Sequence, residues 1–427
     1  MPVSSAKFHS VQETHAGTVG LGSGISRATD TDRLVPRRLY TTICPPSLDE
    51  FKGLVCRKTD PSLYQHATCI VSNIPVYDIS LLPRPGSEQE NVDRIQDEWH
   101  HILLSGPGVF VLKKLYPSSP STQLLFQKVN NIFGDIIESE AHTNTSGGDH
   151  FAANGKNVRI WNSFQKHAVC DSSSFVQYYC NPWLALVAET WLGQSYQITA
   201  QVNIVKPGGK PQVSHRDYHL GFQTSDQCST FPKATQTASQ FLTLQGAVAH
   251  SDMPLESGPT RFLPFSQLFE EGYMAYRLKE FQELFDRNWV SIALELGDAV
   301  FFNPALFHAA GENTSTKIER SANLLQISSA FGKTMESIDT VTVIKKSWPS
   351  VLQLYQEQKA LTVEVDAILK AIAQGYPFPT NLDRRPPETG GMAPESELDV
   401  LRRAVQGSWS TEVVIAAIKS IQTDSLP

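Results

Sequence analysis

The sequence predicts an α+β fold in which helices flank an antiparallel β core on both sides. Apolar residues recur at helical spacing between residues 92 and 192, alternate along strands between 197 and 328, and return to helical spacing after Trp348. Helices, then strands, then helices are typical of this fold class. With 427 residues, 41% of them hydrophobic, the chain can bury a large core.

Three helices are predicted before the main strands. They cover about residues 92–104, 122–138 and 181–192. The third opens at Asn181-Pro182 and stops at Gly193, which is the expected punctuation of a helix. After Gly106, Pro107 and Gly108 break the first helix, the apolar run 109–112 predicts a short strand.

The strand predictions rest on two-residue alternation. In segment 197–205 the apolar side chains share one face, while Thr199, Gln201 and Asn203 share the other, which we expect to line the interior of the β core. Further strands are expected at 241–249, 290–296, 299–302 and 323–328. Gly297-Asp298 predicts a hairpin-like turn between the second and third of these.

The predicted domain organisation has three parts. A flexible N-terminal arm covers residues 1–38, and the main domain covers 39–345, with helical support at about 92–193 and the β core at about 197–330. A helical insertion lies at 266–288. A C-terminal helical extension covers 346–427; it contains a Pro/Gly/Glu-rich linker at 384–397 and a final helix at about 398–421. The extension is a candidate homodimer contact.

Composition argues against several classes of protein. A net charge of -7 disfavours a nucleic-acid partner, whose binding surface is normally basic. No apolar stretch reaches about 18 residues and no apolar signal core opens the chain, so we expect no membrane partner and an intracellular, cytoplasmic location. Six scattered cysteines without a C-x-x-C pair are expected to be free thiols.

The chemistry is predicted to lie in His215-Arg216-Asp217 and, far downstream, His308 and Arg320. Residues i and i+2 of an extended segment point the same way, so His215 and Asp217 share a side while Arg216 points away. Two imidazoles and one carboxylate are the ligand types of non-heme Fe(II) oxygenases. An arginine nearby can hold a dicarboxylate through a two-pronged hydrogen bond.

Three ordered blocks, spanning about residues 92–330, resemble the phytanoyl-CoA dioxygenase family of Fe(II)/2-oxoglutarate oxygenases. The first is the strand and Pro-Gly turn 201–209 leading to His215. The second, 258–266, is similar to the family's Gly-x-Thr…Pro-Gly-Ser-His segment, although Phe265-Ser266-Gln267 departs from it. The third is the Gly-Asp turn, apolar strand, His308 and Arg320.

The resemblance implies a double-stranded β-helix, a jelly-roll or cupin-like core, with Fe(II) bound at its open end. It implies His215, Asp217 and His308 as metal ligands that serve catalysis, with O2 taking a remaining position. Arg320 is expected to bind the distal carboxylate of the cosubstrate 2-oxoglutarate, with further contacts from Thr260 and Gln201. Because the carboxylate ligand is present, the family's halogenation reaction is not expected.

The expected reaction is hydroxylation, desaturation, epoxidation or oxidative cyclisation at an unactivated C–H bond. The substrate is expected to be a small organic acid, an amino acid derivative or a secondary metabolite, because no long basic pocket for coenzyme A is evident. Candidate substrate contacts, from strand face and from position near the barrel, are Asn203, Thr199, His219, Arg159 and Trp161.

Two alternatives stay open from the sequence. A cupin-type hydrolase or isomerase could use the same metal ligands without 2-oxoglutarate. A non-catalytic interaction protein could use the β-helix as a scaffold only.

Overall fold

A computed structural model of the chain describes residues 35–142 and 156–427. Most of the predicted N-terminal arm, residues 1–34, lies outside the described residues, as does 143–155. The described residues from 39 onwards form one compact unit, and its architecture is α+β, as predicted. In the described part of the chain, no helix is long and apolar enough to cross a membrane.

Fourteen α-helices lie within the described ranges. They are α1 Leu48–Val55, α2 Gln89–Leu104, α3 Pro120–His142, α4 Ser163–Cys170, α5 Ser172–Tyr179, α6 Pro182–Leu192, α7 Ser225–Ser229, α8 Lys233–Ser239, α9 Gly272–Ala275, α10 Lys279–Asn288, α11 Thr340–Gln358, α12 Val363–Ile372, α13 Glu397–Gln406 and α14 Thr411–Asp424. The three predicted early helices correspond to α2, α3 and α6. Asn181 caps α6 through its side chain and Gly193 ends it, so that prediction is confirmed.

Ten strands lie within the same ranges. They are β1 Cys69–Val71, β2 Ile74–Asp78, β3 Val109–Lys113, β4 Asn157–Ile160, β5 Gln197–Val205, β6 Thr243–Ala249, β7 Arg261–Phe262, β8 Ala299–Phe302, β9 His308–Ala309 and β10 Arg320–Ser328. Eight of them form one sheet in the order β1-β2-β3-β8-β6-β10-β5-β4, in which only β2 and β3 pair in parallel. Strands β7 and β9 pair in a second, smaller sheet.

Isolated bridges extend the smaller sheet on both sides. His215 pairs with His308 beyond β9, and Val290 pairs with Phe262 beyond β7. Side chains of the two sheets share one apolar cluster, in which Phe262 and Leu294 meet Ala247, Val300 and others of the large sheet. The two sheets therefore face each other as in a jelly roll, with the space between them available for a site.

The predicted strand at 290–296 and its hairpin turn are wrong. This segment makes only isolated bridges: Val290 pairs with Phe262 of β7 in the smaller sheet, and Leu294 pairs with Met253, which lies in no strand. Strand β8 pairs instead with β3 and β6 of the large sheet. Gly297, at φ +88°, therefore carries the chain from one sheet to the other, a crossover that local alternation cannot distinguish from a hairpin.

Strand β5 shows why the large sheet can face both a core and a cavity. Ile198, Ala200 and Val202 pack into the cluster formed with the helices. Gln201 and Asn203, on the opposite face, line the cavity between the sheets. The two-residue alternation of the sequence is thus confirmed, and it fixes which side chains lie on the face of the sheet that borders the cavity.

The C-terminal helices are part of the same core. Helix α11 spans the domain boundary predicted at residues 345 and 346, and Val414 and Ile418 of α14 are buried with Trp348. The single final helix predicted at 398–421 is wrong. The chain leaves α13 at Gly407, Ser408 adopts φ +50°, and the side chain of Ser410 caps α14.

Candidate metal centre

His215, Asp217 and His308 converge in the structure although 91 residues separate the last two along the chain. The Nε2 atoms of His215 and His308 lie 3.8 and 3.6 Å from Oδ2 of Asp217. One ligand atom from each residue lies within 4.8 Å of the other two. The i, i+2 spacing of the sequence thus puts both side chains of the first segment on the side that faces His308.

Backbone pairing sets this convergence. His215 N donates to His308 O at 2.9 Å, and His308 N donates to His215 O at 3.0 Å. Asp217 N donates to Pro304 O at 2.9 Å, so segment 215–217 runs antiparallel to 304–308. Residues opposite each other in such a pair have neighbouring side chains, and the two imidazole centroids are 4.5 Å apart.

Both imidazoles are held in one tautomer. Nδ1 of His215 lies 2.9 Å from Val213 O, and Nδ1 of His308 lies 2.8 Å from Leu306 O. A carbonyl oxygen only accepts, so Nδ1 carries the hydrogen and donates it. The lone pair of Nε2 is then free on the side of Asp217, which is the arrangement of a metal-binding histidine.

The carboxylate is also oriented before any metal binds. Gln245 Nε2 donates to Asp217 Oδ2 at 2.8 Å. Burial by itself raises the pKa of Asp217, but the neighbouring imidazoles and this amide outweigh it and hold the pKa below its usual value. Burial lowers the pKa of His215. At neutral pH the site therefore offers a carboxylate with a neutral imidazole beside it, a donor set that fits a divalent cation.

Arg320 begins β10 and lines the same cavity as the three converging residues. Its side chain is buried, at 6% exposed. Within the ranges that the structure describes, no carboxylate forms an ion pair with it, and its Nη1 makes only a long contact of 3.4 Å to Ser257 O. Burial lowers the pKa of Arg320 to about 10, so the guanidinium stays charged at neutral pH. A buried cation of this kind is suited to a carboxylate ligand.

The cavity between the sheets has a volume of about 350 Å³. Its wall is mostly apolar, with Met253, Phe262, Ile292, Leu294 and Phe302 contributing, and its charged groups besides the metal candidates are Arg159 and Arg320. Val213 and Phe222 line it and are also exposed, at 66% and 45%. They mark the mouth of the cavity, and the apolar wall excludes water from the interior.

Four further predicted site residues lie on the cavity wall: Thr260, Gln201, Asn203 and Arg159. Arg159 Nη1 donates to Gln201 Oε1 at 2.9 Å, and Gln201 Nε2 donates to Met335 Sδ at 3.2 Å. These bonds hold the ends of the two long side chains in place, so the polar part of the wall has a defined geometry.

Three predicted substrate contacts lie outside the cavity lining of the described chain. Thr199 Oγ1 donates to Gln326 O at 2.9 Å, which occupies the hydroxyl within the sheet. His219 stacks on Tyr218, and its Nε2 lies 3.4 Å from Thr243 Oγ1. Trp161 lies under the guanidinium of Arg159, 5.5 Å from its Cζ. Sharing a strand face or a neighbouring position did not bring these side chains to the cavity.

Gln245 is a contact to the site that the sequence prediction missed. It lies in β6 between buried apolar neighbours, and its register partners are Phe302 of β8 and Gln326 of β10. An amide in the middle of the apolar run LTLQGAVA is the signal that could have found it, because buried polar groups almost always have a partner. The sequence could not indicate that Asp217 is that partner.

Comparison with known sequences gives two similarities, one to a family and one to a curated protein. A family model described as phytanoyl-CoA dioxygenase matches residues 81–322, which is 242 of 427 residues and more than half of the chain. The curated protein "Dioxygenase andF" of Emericella variicolor is 25% identical over 144 residues. That match covers 33% of this chain and 45% of the relative, so it spans less than half of the relative's length.

Solved structures give weaker similarities. The non-heme alpha-ketoglutarate-dependent carbocyclase SnoK from nogalamycin biosynthesis is 16% identical, with a TM-score of 0.41 over 58% of this chain and 89% of that one. The non-heme alpha-ketoglutarate-dependent epimerase SnoN is 16% identical, with a TM-score of 0.36 over 57% and 84%. Similarity at this level says nothing about the substrate of this chain.

Proposed function

Because the chain belongs to the phytanoyl-CoA dioxygenase family, we propose that it is an Fe(II)/2-oxoglutarate-dependent oxygenase. It oxidises an unactivated C–H bond of a small molecule by hydroxylation, desaturation, epoxidation or oxidative cyclisation, and it releases succinate and carbon dioxide. The observation that carries this proposal is the buried, charged Arg320 on the wall of the cavity that also contains His215, Asp217 and His308.

The roles of the residues follow from their chemistry. His215, Asp217 and His308 hold Fe(II), and Arg320 binds the distal carboxylate of 2-oxoglutarate through a charge-assisted hydrogen bond. Thr260 and Gln201 are further cosubstrate contacts. A bound iron would supply a redox centre through which O2 takes up two electrons from the decarboxylation of 2-oxoglutarate and two from the substrate C–H bond. The protein orients both partners and keeps water away from them.

The substrate is a small organic acid, an amino acid derivative or a secondary metabolite, contacted by Asn203 and Arg159. A cavity of about 350 Å³ with a mostly apolar wall supports a compact substrate beside the cosubstrate. The nucleotide of an acyl-coenzyme A carries several phosphates. Among the residues that line the cavity, two are arginine or lysine, namely Arg159 and Arg320. These features favour a free small molecule over an acyl-coenzyme A.

Location and assembly complete the proposal. All six cysteines are free thiols in the structure, which together with a ferrous centre suits a reducing, cytoplasmic environment. We propose a homodimer contact through the C-terminal helices, because the apolar side chain of Val413 in α14 is exposed. Light scattering of Val413→Asp tests it, and an unchanged mass for a dimeric parent chain would contradict it.

The decisive experiment loads the pure protein anaerobically with Fe(II) and 2-oxoglutarate, then admits O2 with a panel of candidate substrates. Succinate formed in proportion to one oxidised product is the expected result. Product formed without 2-oxoglutarate consumption would favour the cupin-type hydrolase or isomerase, and no turnover with any panel member would favour the interaction protein. Asp217→Ala is expected to abolish 2-oxoglutarate turnover, and a variant that retains most of it would remove Asp217 from the ligand set.

A further inference from the structure

Arg216 stands between two metal ligands of the proposed function, yet its guanidinium points away from them. The side chain is 0% exposed. Nη2 donates to Ser266 O and to Phe269 O, both at 2.8 Å. The Cζ atom lies 5.2 Å from the ring centroid of Tyr273 and 5.4 Å from that of Phe307. In the part of the chain that the structure describes, no carboxylate forms an ion pair with Arg216.

A fully buried cation without a counter-ion is expensive, so its presence needs a physical reason. An apolar side chain of similar volume would fill the same space without the desolvation cost. The guanidinium stays charged, since arginine is not deprotonated in proteins. What the guanidinium adds is direction, because its Nη2 donates to two carbonyl oxygens at fixed angles while aromatic faces stabilise the charge. Its Nε and Nη1 are buried without a hydrogen-bond partner in the described chain, which adds to the cost.

The backbone around the guanidinium is shaped to admit it. A Cβ atom added at Gly272 would lie 1.8 Å from Arg216 Cζ, so no other residue fits there without displacing the arginine. Gly221 is equally close, since its Cβ would lie 2.0 Å from Arg216 O. The two glycines bring α9 and the turn after Asp217 into direct contact with Arg216.

The segment that receives Arg216 also holds the next turn of the ligand segment. Tyr276 Oη donates to Gly221 O at 2.5 Å, and Arg277 Nη2 donates to the same oxygen at 2.9 Å. Tyr273 Oη lies 3.4 Å from Asp217 O. Carbonyl oxygens of 266–269 accept from Arg216, and side chains of 273–277 donate to carbonyl oxygens of 217 and 221. The two segments are thus bound reciprocally.

We propose that residues 266–277 are a backbone clamp for segment 215–221, with Arg216 as its positioning residue. The clamp holds His215 and Asp217 in their binding directions before a metal arrives, so metal binding does not have to order them. The inference rests on the proposed function in taking His215 and Asp217 as ligands. It assigns a role to the start of the helical insertion between β7 and β8.

The experiment measures the Kd for Fe(II) anaerobically, by competition with a chelator, together with kcat and the KM for 2-oxoglutarate. Arg216→Met keeps a similar side-chain volume and removes the guanidinium, and Arg216→Lys keeps the positive charge. The matched control is Arg402→Met, which removes an ion pair to Asp366 of 2.8 Å in the C-terminal helices. Each variant is first shown to be folded by its thermal unfolding transition.

Arg216→Met is expected to raise the Kd for Fe(II) by roughly 10- to 100-fold, the usual effect of losing a residue that orients metal ligands. Saturating Fe(II) should restore most of kcat, and the KM for 2-oxoglutarate should stay within about three-fold, because Arg320 is intact. The Kd for Fe(II) of Arg216→Lys should lie between the values for Arg216→Met and for the parent. Arg402→Met should lower the unfolding temperature while leaving the Kd for Fe(II) unchanged.

A folded Arg216→Met whose Kd for Fe(II) is within two-fold of the parent would overturn the clamp, as would an equal rise in Arg402→Met. If Arg216→Met does not fold, Tyr276→Phe decides, since it removes one hydrogen bond only. A Kd raised at least about three-fold supports the clamp, and an unchanged Kd refutes it. Fe(II) bound equally by the parent and by His308→Ala would instead contradict the proposed metal site itself.

Discussion

Replacing Arg320 with methionine should make the ligand-free protein more stable and its binding of 2-oxoglutarate much weaker. Methionine keeps a long side chain on the first residue of β10 and removes the charge. The guanidinium is buried without an ion pair in the described chain, so in the absence of a dicarboxylate it is a desolvated charge with little compensation. Evolution retains such a group where a ligand supplies the missing partner.

The magnitude follows from burial. The pKa of Arg320 falls from 12.5 to about 10, which means that keeping the guanidinium charged costs more free energy in the fold than in the unfolded chain at every pH below that value. At about 1.4 kcal/mol per pKa unit the penalty is at most about 3 to 4 kcal/mol. The contact of Nη1 with Ser257 O offsets part of this penalty, so we expect Arg320→Met to gain about 1–2 kcal/mol. Loss of one partner of a buried charge pair costs about 2–5 kcal/mol, so the Kd for 2-oxoglutarate should rise by roughly 30-fold or more.

Two assays on the same preparations separate the effects. Chemical denaturation at pH 7.5 without metal or cosubstrate gives the free energy of unfolding, and anaerobic calorimetry with Fe(II) gives the Kd for 2-oxoglutarate. Arg261→Met is the matched control, because Arg261 Nη2 donates to Gln212 O at 2.7 Å and Nη1 lies 3.5 Å from Asp286. It should lose stability. An apo Arg320→Met that is less stable than the parent, or a Kd within three-fold of it, would refute the reasoning.

Three further predictions concern the candidate site, the pH dependence of stability, and the core. Gln245→Leu removes the amide that orients Asp217, and it should raise the Kd for Fe(II) by roughly 10-fold in an anaerobic titration; an unchanged Kd would contradict this. Burial raises the pKa of Glu336 from 4.5 to about 7, so the fold binds a proton that the unfolded chain releases, and stability falls as pH rises between these values. The free energy of unfolding of Glu336→Gln, measured by chemical denaturation, should therefore exceed that of the parent by about 1–2 kcal/mol at pH 8 and equal it at pH 4. Truncation after Thr380 uncovers the cluster that contains Ile418, so circular dichroism should show early unfolding, and a shortened chain of unchanged melting temperature would contradict a shared core.

Periodic patterns predicted the elements whose burial is set locally. The alternation of 197–205 and the punctuation of α6 at Asn181 and Gly193 correspond to observed elements. Patterns failed where the partner strand decides. Segment 290–296 alternates like a strand, yet it makes only isolated bridges, because its partners are the two-residue strand β7 and the single residue Met253. Continuous helical spacing likewise hid the break at Gly407 between α13 and α14.

For the candidate site, too, the sequence predicted some features and could not predict others. The i, i+2 spacing of His215 and Asp217 was enough to place both on one side of an extended segment. That spacing could not show which nearby polar side chains reach the cavity. Asn203 lines the cavity, whereas Thr199, four residues earlier on the same strand face, forms a hydrogen bond within the sheet. A side chain's direction is local, whereas the position of the cavity along a strand depends on what lies opposite.

Residue chemistry and spacing by themselves determined the fold class, the donor types of the candidate metal centre and the choice of Arg320 as the candidate carboxylate-binding residue, because these depend on side chains and on two-residue periodicity. Only the tertiary structure decided that His215 faces His308, that Gln245 reaches Asp217, and that 266–277 holds Arg216. Each of these contacts joins segments far apart in the chain, and their distance in space is set by sheet register and by the crossover at Gly297. No local pattern contains that information.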